Sequence, residues 1–332
     1  VSQENVAGKQ ASSLKMRETE AENLHQSVLP GETVRLLNPQ SGGIFVDATL
    51  GLGGHAEAVL RAAENVRLIG IDQDIEAIGF ARERLAKYGE RVEIFHANFA
   101  EIKDVLAQSK VEKVNGILAD LGVSSLQFDR AERGFSFRFD APLDMRMNAD
   151  SGEETAAELL ANSSEEEIAD LIYQYGEERQ SRRIARRIVW KREIGEPITT
   201  TKELAETVEK AIGRKQKDKI HPATRTFQAL RIAVNRELEI LEDFLRDSVD
   251  VLETGGRLAV ITFHSLEDRI VKQTLQKLAG KCFCPPRLPE CVCGAEKRIE
   301  ILTRKPVTAD EAETIENPRA RSAKLRAGLK LN

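Results

Sequence analysis

The sequence predicts an α/β fold, a parallel sheet with helices on both faces, interrupted by a long helical insertion. Three observations predict it. Apolar strands alternate with helical patterns over the first 120 residues. A glycine turn, DATLGLGGH from Asp47 to His55, joins the first strand of that repeat to its first helix. Finally, about 135 residues separate Asp120 from the next clear strand, Arg257 to Thr262, where a βαβ unit needs only about 30.

The elements follow in order. Apolar runs place strands at 44–47, 67–71, 91–95 and 114–120, with helices near 54–63, 75–87 and 99–109. Inside the insertion, periodic Leu, Ile, Ala and Tyr give helices at 153–160 and 164–175, and a third pattern runs over 177–192. Thr200 or Thr201 is placed to cap a helix ending near Ile212. A helix from about 224 to 252 leads back into the sheet. After the strand at 257–262 come a helix capped by Ser265, a cysteine loop, a strand at 299–303 and a last strand near 322–329. The expected organisation is a tail (1–24), a discontinuous sheet domain (25–130 and 223–332) and an inserted helical domain (131–222).

At 41% hydrophobic and 31% charged residues, the 332-residue chain reads as globular. No stretch approaches the roughly 20 apolar residues of a membrane span. The first 24 residues are polar, lack the apolar core of a signal peptide and are expected to be disordered, which points to a cytoplasmic protein. A net charge of −5 argues against a polyanionic partner, but the distribution of charge does not. Arg179 to Arg192 holds seven basic residues and no acid, and Lys210 to Arg231 holds seven against Asp218 alone. Arg319 to Lys330 adds five with no acid.

Strand, glycine turn and helix in that order make a site for a nucleoside-bearing cofactor. Asp72, at the end of the second strand, is placed to accept hydrogen bonds from ribose hydroxyls. Gly51-x-Gly53-x-x-Ala56 fits the alanine form of the dinucleotide fingerprint, which would make the chain an NAD-dependent dehydrogenase. S-adenosylmethionine (SAM) is the competing cofactor. Asp47 favours it, because a carboxylate there repels a pyrophosphate but suits an ammonium and a sulfonium. Asp120 ends the fourth strand in DLGVSS, so Asp47, Asp72, Asn98-Phe99 and Asp120 all converge on the carboxyl edge of the sheet.

Nine segments in order resemble the ribosomal RNA small-subunit methyltransferase H family. They are HQSVLPGETVRLL (from His25), DATLGLGGH, DLGVSS with Gln127, RGFSF (from Arg133), PLDMRM (from Pro142), YGEER (from Tyr175), HPATRTFQALRIAVNREL (from His221), GGRLAVITFHSLEDRIVK (from Gly255) and ENPRARSAKLR (from Glu316). The resemblance covers residues 25 to about 328. It implies a class I SAM-dependent methyltransferase fold with an inserted helical domain, acting on N4 of a cytidine in the decoding region (P site) of 16S rRNA. It also implies SAM contacts at Gly53, Gly54, His55, Asp72, Phe99, Asp120 and Gln127. The family's His-Gly-x-Phe motif reads His96-Ala97-Asn98-Phe99 here, departing at Ala97. A non-enzymatic rRNA-binding or assembly factor retaining the SAM fold is the alternative within this resemblance.

Methyl transfer to an amino group needs alignment and acceptors for the amino protons. Asp120 is the candidate acceptor, and His264, closing the fifth strand, is a second candidate catalytic residue. DLGVSS lacks the prolines and aromatic of the Asp/Asn-Pro-Pro-aromatic segment of amino-methyltransferases. A target base must leave its stack, and Phe135, Phe137 and Phe139, interleaved with Arg133, Arg138 and Arg146, have the composition of a nucleic-acid contact. Arg182, Arg183, Arg186 and Arg187 of the first basic stretch, with His221 and Arg225 of the second, complete the candidate RNA-binding set. All four cysteines, Cys282, Cys284, Cys291 and Cys293, lie within twelve residues, a possible structural zinc site with tighter spacing than the usual C-x2-C pairs.

Overall fold

The computed structural model describes residues 27–213, 221–285 and 292–332. The expected tail over 1–24, part of the second basic stretch (214–220) and Cys291 lie outside the described residues. The chain divides into two compact units: one runs to Gly122 and resumes at Ile240, and the other is Val123–Glu239. The division thus falls at 122 and 240, not at the expected 131 and 222.

The first unit holds a seven-stranded sheet: β1 (Gly43–Asp47), β2 (Val66–Asp72), β3 (Val92–His96), β4 (Val114–Asp120), β5 (Leu252–Thr262), β6 (Ile299–Ile301) and β7 (Lys324–Lys330). The spatial order is β3-β2-β1-β4-β5-β7-β6. The first five run parallel, and β7 lies antiparallel between β5 and β6. The order agrees with the parallel-sheet α/β fold expected from the sequence. β5 begins five residues before the expected Arg257 and pairs irregularly with β4 between Val114 and Gly116.

Side chains alternate across each strand and so divide between two cores. Val46, Ile69, Ile71, Ile117, Ala119, Leu258 and Val260 pack on one face with helices Ile102–Gln108, Leu241–Val251 and Ser265–Leu278. Phe45, Leu68, Leu118, Ala259 and Ile261 pack on the other with Pro30–Leu37, Gly54–Ala62 and Ile75–Leu85. Central strands buried on both faces read as unbroken apolar runs, which is why they are visible in the sequence. The Pro30–Leu37 helix was not expected. Its signals are Pro30 in the first turn, with fixed φ, and Glu32 beside it.

The second unit is helical: Ala156–Asn162, Glu165–Gly176, Ser181–Glu193, Thr201–Ile212 and Thr224–Val234 surround a core that includes Ile172, Ile184, Ile188, Leu204, Val208 and Leu230. Thr155/Glu158, Ser164/Glu167 and Thr200/Glu203 form reciprocal capping boxes, so Thr200 and not Thr201 is the cap. The expected helix over 224–252 is broken. Asn235 donates its amide to the Met145 and Arg231 carbonyls and accepts the Met147 N–H, and Arg236 turns left-handed at φ 50°. Among the described residues, no helix is long and apolar enough to cross a membrane.

One charge cluster fastens the first two βα units. Glu57, 6% exposed, accepts from Arg61 and Arg84 at 2.8 Å and from Lys87 at 2.5 Å. Burial pushes its carboxyl up, but Lys87 and Arg84 outweigh that and hold it below its ordinary value. Glu57→Gln keeps the shape and removes the charge. It should destabilise the protein at pH 7 by about 1–3 kcal/mol, read from urea unfolding. Because the folded carboxyl is depressed, the loss should shrink as the medium becomes acid enough to protonate Glu57 in the parent.

Candidate functional site

The sheet order reverses between β1 and β4, and in such folds ligands bind beyond the carboxyl ends of the strands at that reversal. Asp47 and Asp120 end those two strands. The loop after β1 is tied to its neighbours. Ala48 N–H donates to the Leu118 carbonyl (2.8 Å), Leu50 N–H to the Ile71 carbonyl (2.9 Å) and Gly51 N–H to Asp72 Oδ2 (2.6 Å). Gly51 and Gly53 take positive φ, 50° and 78°, which lets helix Gly54–Ala62 start within a few residues of the strand.

The glycines do different jobs. A β-carbon on Gly54 would stand 2.1 Å from the Ser27 hydroxyl, and one on Gly53 would meet Leu85 at 3.3 Å. Their lack of side chain therefore admits neighbouring parts of the protein. Only at Gly51 is the surrounding space clear, its nearest neighbour being the Thr49 carbonyl at 4.0 Å. Gly51 was absent from the expected cofactor set.

Asp72 accepts from Gly51 N–H through one oxygen and from Asp74 N–H (2.8 Å) through the other. The Gln73 amide draws on it as well, and with about four acceptor positions the carboxylate keeps capacity for a hydroxyl such as a ribose carries. Burial pushes Asp72 up to about 6, against the downward pull of the Asp74 and Gly51 amides.

Asp47, His55 and Asp120 lie close enough to interact electrostatically. Asp47 is 2% exposed and His55 5%. His55 Nε2 stands 3.6 Å from Asp120 Oδ2, an ion-pair distance just beyond a good hydrogen bond. Thr49 hydroxyl accepts the Asp120 N–H at 2.6 Å and fixes the end of β4. Burial pushes Asp47 up to about 7, although the His55 charge lowers it. Burial opposes the charged form of His55, yet Asp120 and then Asp47 prevail and raise it. His55 sits in a first helical turn, where the dipole disfavours a cation, so these acids also offset the helix.

Asp47 Oδ2, Asp120 Oδ1 and both His55 ring nitrogens are buried without a hydrogen-bond partner in the protein. Such groups cost about 1–3 kcal/mol each unless something satisfies them. Asp47 Oδ2 and Asp120 Oδ1 are therefore acceptors open to hydrogen-bond donors from outside the protein. Acidic acceptors fit SAM, whose amino acid part carries an ammonium, and do not fit a pyrophosphate.

Phe99 lies just past β3 and packs edge-on to Phe244, with ring centroids 4.9 Å apart. It keeps partial exposure, so one face can meet an adenine. Asn98 orders this corner through a capping box with Glu101 and a bond to the Gln73 side chain (2.9 Å). The departure at Ala97 leaves it intact, and Ala97 N–H donates to the Asp72 carbonyl at 2.9 Å. Gln127 belongs to the second unit, where Ser124 and Gln127 form a capping box for Ser125–Asp129.

Other expectations need correction. His264, not Ser265, caps helix Ser265–Leu278. Its Nδ1 accepts the Glu267 N–H at 3.4 Å, and Glu267 accepts from Phe263 and His264 in return. Extended backbone at position 264 suits a cap, and the capping task supplies a structural reason for the histidine. Phe135 is 5% exposed in the helical core and cannot stack on a base. Phe137 packs on Phe227 and His221, and Phe139 alone of the three is exposed, at 54%. Arg133 donates to the carbonyls of Arg146 and Met147. Arg146 is held by both oxygens of Asp144 and by the Glu153 carbonyl, so these two arginines brace a loop and do not present open guanidiniums.

Arg182, Arg183 and Arg186 are exposed on helix Ser181–Glu193, Arg186 only 3.6 Å from Glu165. Arg187 stacks 4.5 Å over the Trp190 ring. Arg192 instead donates to the carbonyls of Leu160, Ala161 and Ser163, closing the end of helix Ala156–Asn162. His221 turns its Nδ1 to the Ala223 N–H, and Arg225 remains exposed beside Glu178. Among the cysteines, Cys282, Cys284 and Cys293 come together.

Asp47, Asp72 and His55 all bind protons more tightly folded than unfolded. Each therefore withdraws stability as pH rises, Asp47 between its ordinary 3.8 and about 7. Asp47→Asn keeps an oxygen for the Thr49 N–H, which Asp47 accepts at 3.3 Å. Without ligand, the variant should melt a few degrees above the parent near pH 8, of order 1 kcal/mol, with the gap closing towards pH 5. Parallel melting curves against pH would show that Asp47 does not titrate as described.

Residues 22–331 match the model of the MraW methylase family. The chain is 53% identical over 309 residues to a ribosomal RNA small subunit methyltransferase H from Geobacter sp. (strain M21), covering 92% of this chain and 98% of that one. It is 52% identical over 305 residues to the protein of that name from Syntrophotalea carbinolica, covering 91% and 96%. With a match of this extent laid over the glycine turn, Asp47, Asp72 and Asp120, the chain belongs to the MraW methylase family.

Proposed function

We propose that the chain is a SAM-dependent methyltransferase that methylates N4 of a cytidine in the decoding region of 16S rRNA. The observation that carries the reading is the buried trio Asp47, His55 and Asp120, with polar atoms unsatisfied by the protein at the point where the strand order reverses. The relatives' name supports the substrate.

Bound SAM supplies an electrophilic methyl on a sulfonium. Asp72 would hold its ribose, Asp47 its ammonium, and the partly exposed face of Phe99 its adenine. Asp120 Oδ1 would accept a hydrogen bond from the cytosine amino group and turn the nitrogen lone pair towards the methyl; as the N4–methyl bond forms and the sulfur–methyl bond breaks, S-adenosylhomocysteine would leave and the surplus N4 proton pass to Asp120. His55, held at 3.6 Å from the other oxygen, orients the Asp120 carboxylate. Asp120→Asn should lower turnover by about 100-fold or more while rRNA binding persists. Full turnover with unchanged SAM affinity would remove Asp120 from the chemistry. The parent reading is tested by nucleoside mass spectrometry of 16S rRNA from cells lacking the protein, where N4-methylcytidine should fall. Its persistence at the parental level would refute the assignment.

The helical unit is the proposed rRNA-recognition element. Arg182, Arg183, Arg186 and Arg225 are exposed, and Trp190, 43% exposed beneath Arg187, offers a ring to a base. Exchanging Arg182, Arg183 and Arg186 for Glu should weaken binding to the small subunit. It should also flatten the dependence of log K on log salt, by about 0.7–0.9 for each phosphate that is no longer neutralised. Binding that matches the parent across a salt series would exclude this surface.

A further inference from the structure

We propose that Cys282, Cys284 and Cys293 form a zinc site that orders the loop between helix Ser265–Leu278 and β6. The three sulfurs lie within 4.8 Å of one another, with Cys282 and Cys293 at 3.6 Å. Sulfurs at about 2.3 Å from a tetrahedral zinc stand about 3.8 Å apart, whereas a disulfide holds them at about 2.05 Å. Cys284 N–H donates to Cys282 Sγ at 3.4 Å, the kind of outer bond that orients a metal-bound thiolate. Cys291 lies outside the described residues, and the inference rests on the other three.

The loop also needs such a device. Its base is closed by the Ala279–Lys297 bridge and by Arg298 N–H to the Leu278 carbonyl at 2.8 Å. Beyond the base, residues 281–285 and 292–296 bury no apolar side chain, and all except Cys284 are exposed. Phe283 is 43% exposed, with Lys277 and Lys281 6.0 and 5.4 Å from its ring centre. Ordering residues opposes folding through lost backbone freedom, and hydrophobic burial does not offset that here. Zinc held by thiolates supplies folding free energy in place of a core. Nothing in the proposed methyl transfer uses this ion, so the site serves local structure.

The test uses the full chain, expressed with zinc in the medium and purified without chelator or metal-affinity steps. Elemental analysis should find zinc equimolar with protein. Replacing the zinc with cobalt(II) should produce the thiolate-to-metal charge-transfer band of a tetrahedral sulfur site. The Cys282→Ser/Cys293→Ser double variant should lose at least tenfold in bound zinc and become susceptible to trypsin at Lys281, while its methyl transfer stays intact. Zinc far below equimolar with no cobalt band, zinc retained by the double variant, or a Cys282–Cys293 disulfide in freshly isolated protein would each overturn the proposal.

Discussion

The hydrogen bond from Gly51 N–H to Asp72 holds the functional end of the sheet together. It joins the loop after β1 to the end of β2, strands already in parallel register from Gly43–Val66 to Asp47–Gly70. With that loop fixed, helix Gly54–Ala62 starts where His55 reaches Asp120. The second oxygen of Asp72 fixes the Asp74 N–H, and Asp74 in turn caps helix Ile75–Leu85. One carboxylate therefore sets two helix starts and still has acceptor positions for a ligand.

The same region concentrates charge where water is excluded. Asp47 and His55 are nearly inaccessible, and the acids of the site repel one another. A fold built for stability alone would not leave Asp47 Oδ2 and Asp120 Oδ1 without partners. Methyl transfer gives a reason for that arrangement. In the proposed reaction a cationic cosubstrate would satisfy Asp47 and the cytosine amino group Asp120, and a preorganised acceptor needs no rearrangement.

In the helical unit, arginines of similar sequence setting separate into two kinds. Arg133, Arg146 and Arg192 are bound to backbone carbonyls or to Asp144, which ties irregular chain to helices. Arg182, Arg183 and Arg186 stand on the outward side of an amphipathic helix whose Ile184, Ala185 and Ile188 are buried. Local basic composition does not distinguish the two kinds. The distinction arises because a guanidinium close to unpaired carbonyls satisfies them.

The sequence by itself determined the alternation of strands and helices, the glycine turn, the acids at the strand ends, the helical insertion and the family. Those features are written in local periodicity and in short segments that must adopt one conformation. Only the tertiary structure decided which glycine faces clear space, Gly51, and which admit Ser27 and Leu85. It also made His264 a helix cap, buried Phe135 and broke the helix after Val234 around Asn235. Each of those outcomes depends on a partner distant in the chain, or on which of several capable residues reaches a backbone group first. Spacing along a sequence carries neither kind of information.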